Sequence, residues 1–413
     1  MNSPLPSRRR ILLLFLALFL FSAPGCRNDS WPLWQAFSAR FIDRASGRVF
    51  SGSPRTGLRS WGDLSGSPRT GPSPDGDRHT TSEAQAYALF FALAASDRPT
   101  FDRVLAWTQT NLASGDLASH LPAWLWGKDK DGQWKILDSD SASDADIWLA
   151  YSLIEAGRLW HIPADFDLGR SMLALIAKSE VANLPGFGPM LLPGYSGFQH
   201  GNATTLNPSY LPVFLFERFA TVDPSGPWSA IAENIPRLLQ QSARHGFVMD
   251  WVEYVPGDGF HPVADPATTG PGSANAPAPV GSYDAIRVYL WAGITSPQDP
   301  RYVTILNSIL AMGEYLATHS APPEKVSDQG IPSDQPGPIG FSAAVIPYLR
   351  ALSDSSKAAS IQTIRLSSHR NPVTGLYGNS STYYDQCLAL FSTGFSTGKF
   401  SLWQGGELIV QAN

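Results

Sequence analysis

The sequence predicts an all-α fold in which inner and outer helices ring one continuous core, and three observations carry that expectation. The segments Glu83 to Ala95 and Ile147 to Trp160 are apolar on nearly every face, as helices buried all round are. Further helical segments alternate with Pro- and Gly-rich connections. Period-two runs that would mark strands are few.

In chain order, residues 1–25 read as an export signal rather than part of the fold. Arg8, Arg9 and Arg10 form a basic start, Ile11 to Phe21 is uninterruptedly apolar, and Ser22-Ala23-Pro24-Gly25-Cys26 offers small residues for cleavage. The apolar run is shorter than the roughly 20 residues a membrane span needs. Cys26 after small residues resembles the bacterial lipobox, with Ala23 where Leu is usual; lipidation of Cys26 and simple cleavage nearby are the two readings. Acylation would anchor the chain to a membrane surface. Residues 26–413 are then expected to form one domain. Its flexible insertion at 51–77 is rich in Gly, Pro and Ser and repeats the heptapeptide Ser51–Gly57 as Ser65–Gly71.

Beyond the insertion, helices are expected at Glu83–Ala95, Pro99–Leu112, Ile147–Trp160, Phe166–Val181, Tyr210–Phe219, Trp228–Ser242, Ala285–Ala292, Pro300–His319 and Phe341–Leu352. Asn183–Phe198 and Tyr254–Gly281 read as connections. Phe247–Tyr254 is the best strand, and Ser401–Val410 a terminal pair.

The formal net charge is −5, and loss of residues 1–25, with three arginines and no acidic residue, takes it to −8. Such a chain is a poor partner for nucleic acid or anionic lipid; a neutral polymer suits it better. Thirteen tryptophans and thirteen tyrosines exceed what a minimal core needs, and flat rings also make platforms for sugars. Cys387, in an apolar run, reads as a small buried hydrophobe, so no disulfide is expected if Cys26 is acylated. The eight histidines show no paired-ligand spacing, so neither metal nor cofactor is implied. Gly127–Asp138 approaches calcium-loop spacing, but with Gly at the first ligand position it reads as a turn.

Three carboxylates stand out, each shortly after Ser or Thr at an expected helix start: Glu83, Asp144 and Asp284. Thr80-x-x-Glu83 and Ser141-x-x-Asp144 each fit a capping box, a purely structural explanation. Gln85, Tyr87 and Asp146 add polarity to otherwise apolar entrances, and Arg287 stands one turn after Asp284, able to pair with it or with another carboxylate. Carboxylates delivered from several helix ends to one mouth point to hydrolysis of a glycosidic bond, which uses one group as acid and another as base or nucleophile.

The stretch Ala142–Trp160 (ASDADIWLAYSLIEAGRLW) follows the signature of glycoside hydrolase family 8 except at Leu149. The chain resembles that family, and within it the periplasmic endoglucanases encoded with bacterial cellulose synthases. Thr80–Gln85, Leu121–Gly127, Asn207–Pro212, Ser282–Tyr289 and Pro322–Val326 carry the resemblance in the same order. It implies an (α/α)6 barrel with a few short strands in loops and an inverting mechanism. It also implies Glu83 as general acid, Asp284 as general base, Asp144 holding the distorted sugar, Tyr210 positioning water, and Trp124 and Trp126 lining a glucan cleft. Tyr283 and Arg287 belong to the same matched motif around the base and are expected at the substrate site. The implied partners are β-1,4-glucan (cellulose) chains and the cellulose synthase or export machinery, in the periplasm or outside the cell. Ala84 and Ala88 stand where the family commonly has Gly, and their methyls are expected to narrow the site. Two alternatives stay open: action on another β-linked polymer, such as mixed-linkage glucan, xylan or chitosan, and a non-catalytic glucan-binding lipoprotein.

Overall fold

The computed structural model describes residues 31–52, 79–266 and 277–411, together with Met1. The export signal, Cys26 and nearly all of the duplicated insertion lie outside the described residues. The helices are α1 Pro32–Phe41, α2 Ser82–Ala94, α3 Arg98–Leu112, α4 Ser143–Leu159, α5 Pro163–Ser179, α6 Val213–Val222, α7 Trp228–Ser242, α8 Ala285–Ile294, α9 Tyr302–Ser308, α10 Ala311–Thr318, α11 Ile339–Ala351, α12 Ser356–Ser368 and α13 Tyr383–Ser396.

They pack as an (α/α)6 barrel. Helices α2, α4, α6, α8, α11 and α13 are buried on almost every face and form the inner ring. Outside them, α3 lies on α2, α5 on α4, α7 on α6, α9 on α8 and α12 on α11, and α1 closes the ring against α13. The middle is filled rather than hollow. Rings from four inner helices meet there, with centroids 4.8 Å apart for Phe90 and Trp148, 4.6 Å for Phe91 and Phe391, and 5.4 Å for Trp148 and Trp291. Such pairs stabilise by about 0.5–1.5 kcal/mol each beyond their buried area. A plugged barrel leaves its chemistry to the ends.

The strands are short and sit in the connections: β1 Thr80–Thr81, β2 Leu125–Lys128, β3 Trp134–Asp138, β4 Val181–Leu184, β5 Gly188–Leu191, β6 Gln199–His200, β7 Ala203–Leu206, β8 Val252–Val255, β9 Gly259–Pro262, β10 Val280–Gly281, β11 Val326–Ser327, β12 Phe400–Leu402 and β13 Leu408–Val410. Among described residues β1–β2–β3 and β6–β7–β8–β9 form antiparallel sheets, and the other strands pair in hairpins or two-stranded ladders.

Several boundaries differ from the sequence expectation. Pro300–His319 is two helices, because the Ile309 carbonyl leaves the helical ladder to accept the Tyr348 hydroxyl at 2.7 Å. Of Phe247–Tyr254 only the part from Val252 on is strand, which runs to Val255, and Asn183–Phe198 contains most of the β4–β5 hairpin. Helices α1, α12 and α13 were not anticipated. The start of α13 carries a local signal, with Thr382 Oγ1 accepting the Asp385 amide. Cys387 is fully buried on α13, as a small hydrophobe would be.

Candidate active site

Three of the inner helices, α2, α4 and α8, bring acids at their starts to Arg287. Glu83 is the second residue of α2, Asp144 the second of α4, and Asp284 immediately precedes α8. Arg287 lies one turn into α8, where its guanidinium is 3% exposed. Its Nη1 donates to Glu83 Oε2 at 2.8 Å, to Asp144 Oδ2 at 3.0 Å and to the Tyr87 hydroxyl at 3.1 Å. Its Nη2 donates to Asp284 Oδ1 at 2.7 Å and to Ser209 Oγ at 2.9 Å. The planar fork is the one side chain able to serve that many oxygens at once. The i,i+3 pair with Asp284 exists, therefore, as part of a wider cluster.

The capping boxes do not form. Thr81, not Thr80, caps α2, its Oγ1 accepting the Ala84 amide at 3.2 Å. Thr80 Oγ1 donates to the Val49 carbonyl at 2.7 Å instead. Helix α4 has Ala142 at its cap, and Ser141 Oγ donates to Glu180 Oε1. Glu83 takes no part in capping α2, and Asp144 turns only one oxygen to the start of α4, so each has an oxygen that meets Arg287.

The three carboxylates receive unequal support. Asp284 accepts two side-chain N–H groups, from Arg287 and from Asn207 Nδ2 at 3.0 Å. Asp144 accepts from Arg287 and from the Ala145 amide at 2.8 Å. Glu83 accepts from Arg287 alone among the bonds described. Three negative charges around one guanidinium favour uptake of a proton, and the group with the fewest donors takes it most readily. Burial pushes the Glu83 carboxyl up to about 7; the Asp144 and Asp284 charges add to this, against the pull of Arg287. Burial also raises Asp144. Desolvation thus outweighs the pull of Arg287 at Glu83.

The remaining expected residues are distributed around this centre. Tyr210 ends a 3-10 turn before α6, with the Arg287 guanidinium 5.4 Å from its ring centroid. Trp124 is next to Glu83 through the backbone, its carbonyl accepting the Ser82 amide at 3.0 Å. Trp126 lies farther out on β2, stacked on half-exposed Trp134 at 4.9 Å with Trp107 edge-on at 5.3 Å. Tyr283 donates its hydroxyl to Glu324 Oε1 at 3.0 Å and packs on Phe341. Ala84 and Ala88 have no exposed surface, so their methyls fill core rather than narrow an open cleft. Asp129 takes the Asp131 and Gln133 amides at 2.8 and 2.9 Å and Lys135 at 2.7 Å, which makes Gly127–Asp138 a hairpin turn. Among described residues no group of three or more His, Cys, Asp or Glu is arranged to hold a metal.

Local patterning did not single out several members of the cluster. Asn207 holds Asp284 and accepts both the amide and hydroxyl of Ser209, at 3.0 and 2.7 Å. Both stand in the polar turn Asn207-Pro208-Ser209-Tyr210, a usable signal. Tyr384, second on α13, donates to the Tyr283 carbonyl, and its environment includes Arg287, Glu83 and Asp284. Nothing local to Tyr384 announces this. Behind Asp144, buried Asp146 and Glu180 face one another; burial raises both carboxyls, Glu180 to about 8.

The family model of glycosyl hydrolases family 8 matches residues 4–398. An endoglucanase of Xanthomonas axonopodis pv. citri is 41% identical over 379 residues, covering 92% of this chain and 88% of that protein. An endoglucanase of Escherichia coli K12 is 38% identical over 399 residues, covering 97% and 95%. The solved structure of an endo-1,4-D-glucanase from Vibrio fischeri superposes with a TM-score of 0.78 at 35% identity, covering 92% of this chain and 99% of that one.

Proposed function

Because the chain belongs to glycosyl hydrolases family 8, and is thus a glycoside hydrolase, we propose that it is an endo-β-1,4-glucanase that cleaves cellulose with inversion at the anomeric carbon. The observation that carries this reading is the unequal support of the two outer carboxylates on one guanidinium. Glu83, with a single donor and its carboxyl near 7, suits the acid. Asp284, held by Arg287 and Asn207 through its two oxygens, suits the base.

In the proposed reaction Glu83 gives its proton to the glycosidic oxygen as the bond to the anomeric carbon breaks. A water attacks that carbon from the opposite face, and Asp284 takes the water's proton. The products are a shortened chain with a free hydroxyl and one with a new reducing end; Glu83 is left ionised and Asp284 protonated, and exchange with solvent resets both. Asp144, fixed by Arg287 and the Ala145 amide, holds the sugar ring being distorted, Tyr210 orients the water, and Trp124 and Trp126 give the glucan its platforms.

Export and lipid anchoring through Cys26, in service of cellulose synthesis or secretion, complete the proposal; the basic start, the apolar run and the small residues before Cys26 support it. Labelled fatty acid incorporated by the wild type and not by Cys26→Ser would bear out the anchor. The activity is tested by reducing-end release from soluble cellulose derivatives, mixed-linkage glucan, xylan and chitosan. The proposal requires the cellulose derivative to be cleaved fastest. Preference for another polymer would overturn the substrate, and binding without turnover would overturn the enzyme reading.

A further inference from the structure

Asp284 stands at the N-cap position of α8 but does not cap it. A capping aspartate has a non-helical backbone, whereas that of Asp284 is already helical, with φ −81° and ψ −52°. Here both of its oxygens point away, to Arg287 at 2.7 Å and Asn207 at 3.0 Å. Four amides at the start of α8 are nevertheless bonded. Ile286 donates to the Ser282 carbonyl and Arg287 to the Asp284 carbonyl, each at 3.0 Å. The other two are taken by a residue from a different part of the chain: Asp250 Oδ1 accepts the Ser282 amide at 2.7 Å and the Ala285 amide at 2.8 Å. Asp250 is itself tied down, its own amide donating to the Val280 carbonyl at 2.9 Å.

We infer that Asp250 is a positioning residue for the hydrolytic reaction: by accepting the Ser282 and Ala285 amides it fixes the backbone on both sides of Asp284 and keeps the Asp284 carboxylate turned toward Arg287 and the cleft. The inference rests on Asp284 being the base. Without Asp250, the Ser282 and Ala285 amides on either side of Asp284 lose their shared acceptor, the backbone that aims the Asp284 carboxylate is released, and the carboxylate leaves the reacting water. A misplacement of about 1 Å costs on the order of a hundredfold in rate.

Titratable groups near Asp250 include Asp284, Asp265 and, on α13, Tyr384, so Asp250 sits in acidic company. Burial, and then the Asp284 charge, push the Asp250 carboxyl up to about 8. Asp250 therefore caps as a neutral acid below that pH, with one oxygen accepting and no second negative charge beside the base. Asparagine has the same shape and the same accepting oxygen, while alanine has no acceptor and glutamate places it one methylene too far.

The test compares Asp250→Ala, Asp250→Asn and Asp250→Glu with Asp284→Asn, measuring kcat and KM on a soluble cellulose derivative and folding by circular dichroism. The expected order of kcat is Asp250→Asn well above Asp250→Glu and Asp250→Ala, with Asp250→Ala down about a hundredfold and KM changed by no more than about threefold. A folded Asp250→Ala with wild-type kcat, or Asp250→Asn as slow as Asp250→Ala, overturns the inference. If Asp250→Ala does not fold, equal kcat in Asp250→Asn and Asp250→Glu overturns it. An active Asp284→Asn would instead remove the base assignment itself, so the two failures are told apart.

Discussion

Arg287 reaches Glu83 across 204 residues of sequence, its Nη1 donating to Oε2 at 2.8 Å. The same nitrogen serves Asp144, and its neighbour serves Asp284, so one guanidinium gathers side chains from three inner helices. Arrangement around a single cation is what turns three helix-start acids into one site.

Removing either of the proposed acid and base should stop turnover without unfolding the barrel. Glu83→Gln and Asp284→Asn keep size and hydrogen-bonding capacity, so circular dichroism should be unchanged while kcat falls by roughly 10²–10⁴-fold or more. Full activity in either variant would remove the role given to that residue.

The pH dependence follows from Glu83. As the proposed acid it works protonated, and burial holds its carboxyl up to about 7, so kcat/KM should fall as pH rises through that value. In Glu83→Gln any residual rate should lack this alkaline limb. A wild-type profile that stays flat between about pH 6 and 9 would contradict the assignment.

Arg287→Met would leave three largely buried carboxylates with no counterion. Breaking a buried ionic cluster from one side costs about 3–5 kcal/mol. The loss of thermal stability should be larger at pH 8 than at pH 5.5, because at the lower pH the carboxylates relieve the repulsion by taking up protons.

The Asp146–Glu180 pair sets a separate pH effect on stability. The Glu180 carboxyl rises from 4.5 to about 8 on folding, mainly through burial, so the folded state binds a proton that the unfolded state has lost. The pair's contribution is thus complete at acidic pH and declines as pH rises from about 4.5 to about 8. Glu180→Gln should flatten that decline in the melting temperature; an unchanged slope would place the effect elsewhere.

The far end of the barrel offers a control. Glu155, roughly 16 Å down α4 from Asp144, is fully buried and accepts from Arg158, from Arg218 at 2.6 Å and from the Leu408 amide at 2.9 Å, fastening the β12–β13 hairpin. Glu155→Ala should lower stability by several kcal/mol. At temperatures where it stays folded, its kcat should match wild type.

The inner helices α2 and α4 were legible because burial on every face leaves an unbroken apolar stretch punctuated by acids at its start. Arg287 was legible as a partner for a carboxylate one turn away, but its bonds to Glu83 and Asp144 depend on ring closure between distant helices. Asp250, Asn207 and Tyr384 reach the cluster from separate connections and helices, so local periodicity carries no record of their destination. The caps were misplaced for a related reason: Thr80 and Ser141 have the right residue type, but tertiary partners, the Val49 carbonyl and Glu180, take their hydroxyls. Helix α12 escaped notice through its many Ser residues, and the break at Ile309 through a bond made by Tyr348, 39 residues on.

The central claim is that Glu83 and Asp284 act on opposite faces of the sugar with water between them. Proton NMR of cello-oligosaccharide cleavage, recorded before mutarotation, reads the anomer formed at the new reducing end. The account predicts the α-anomer first, with the β-anomer growing in only as mutarotation proceeds. Initial formation of the β-anomer would show retention and contradict the assignment of Asp284 as a base acting through water.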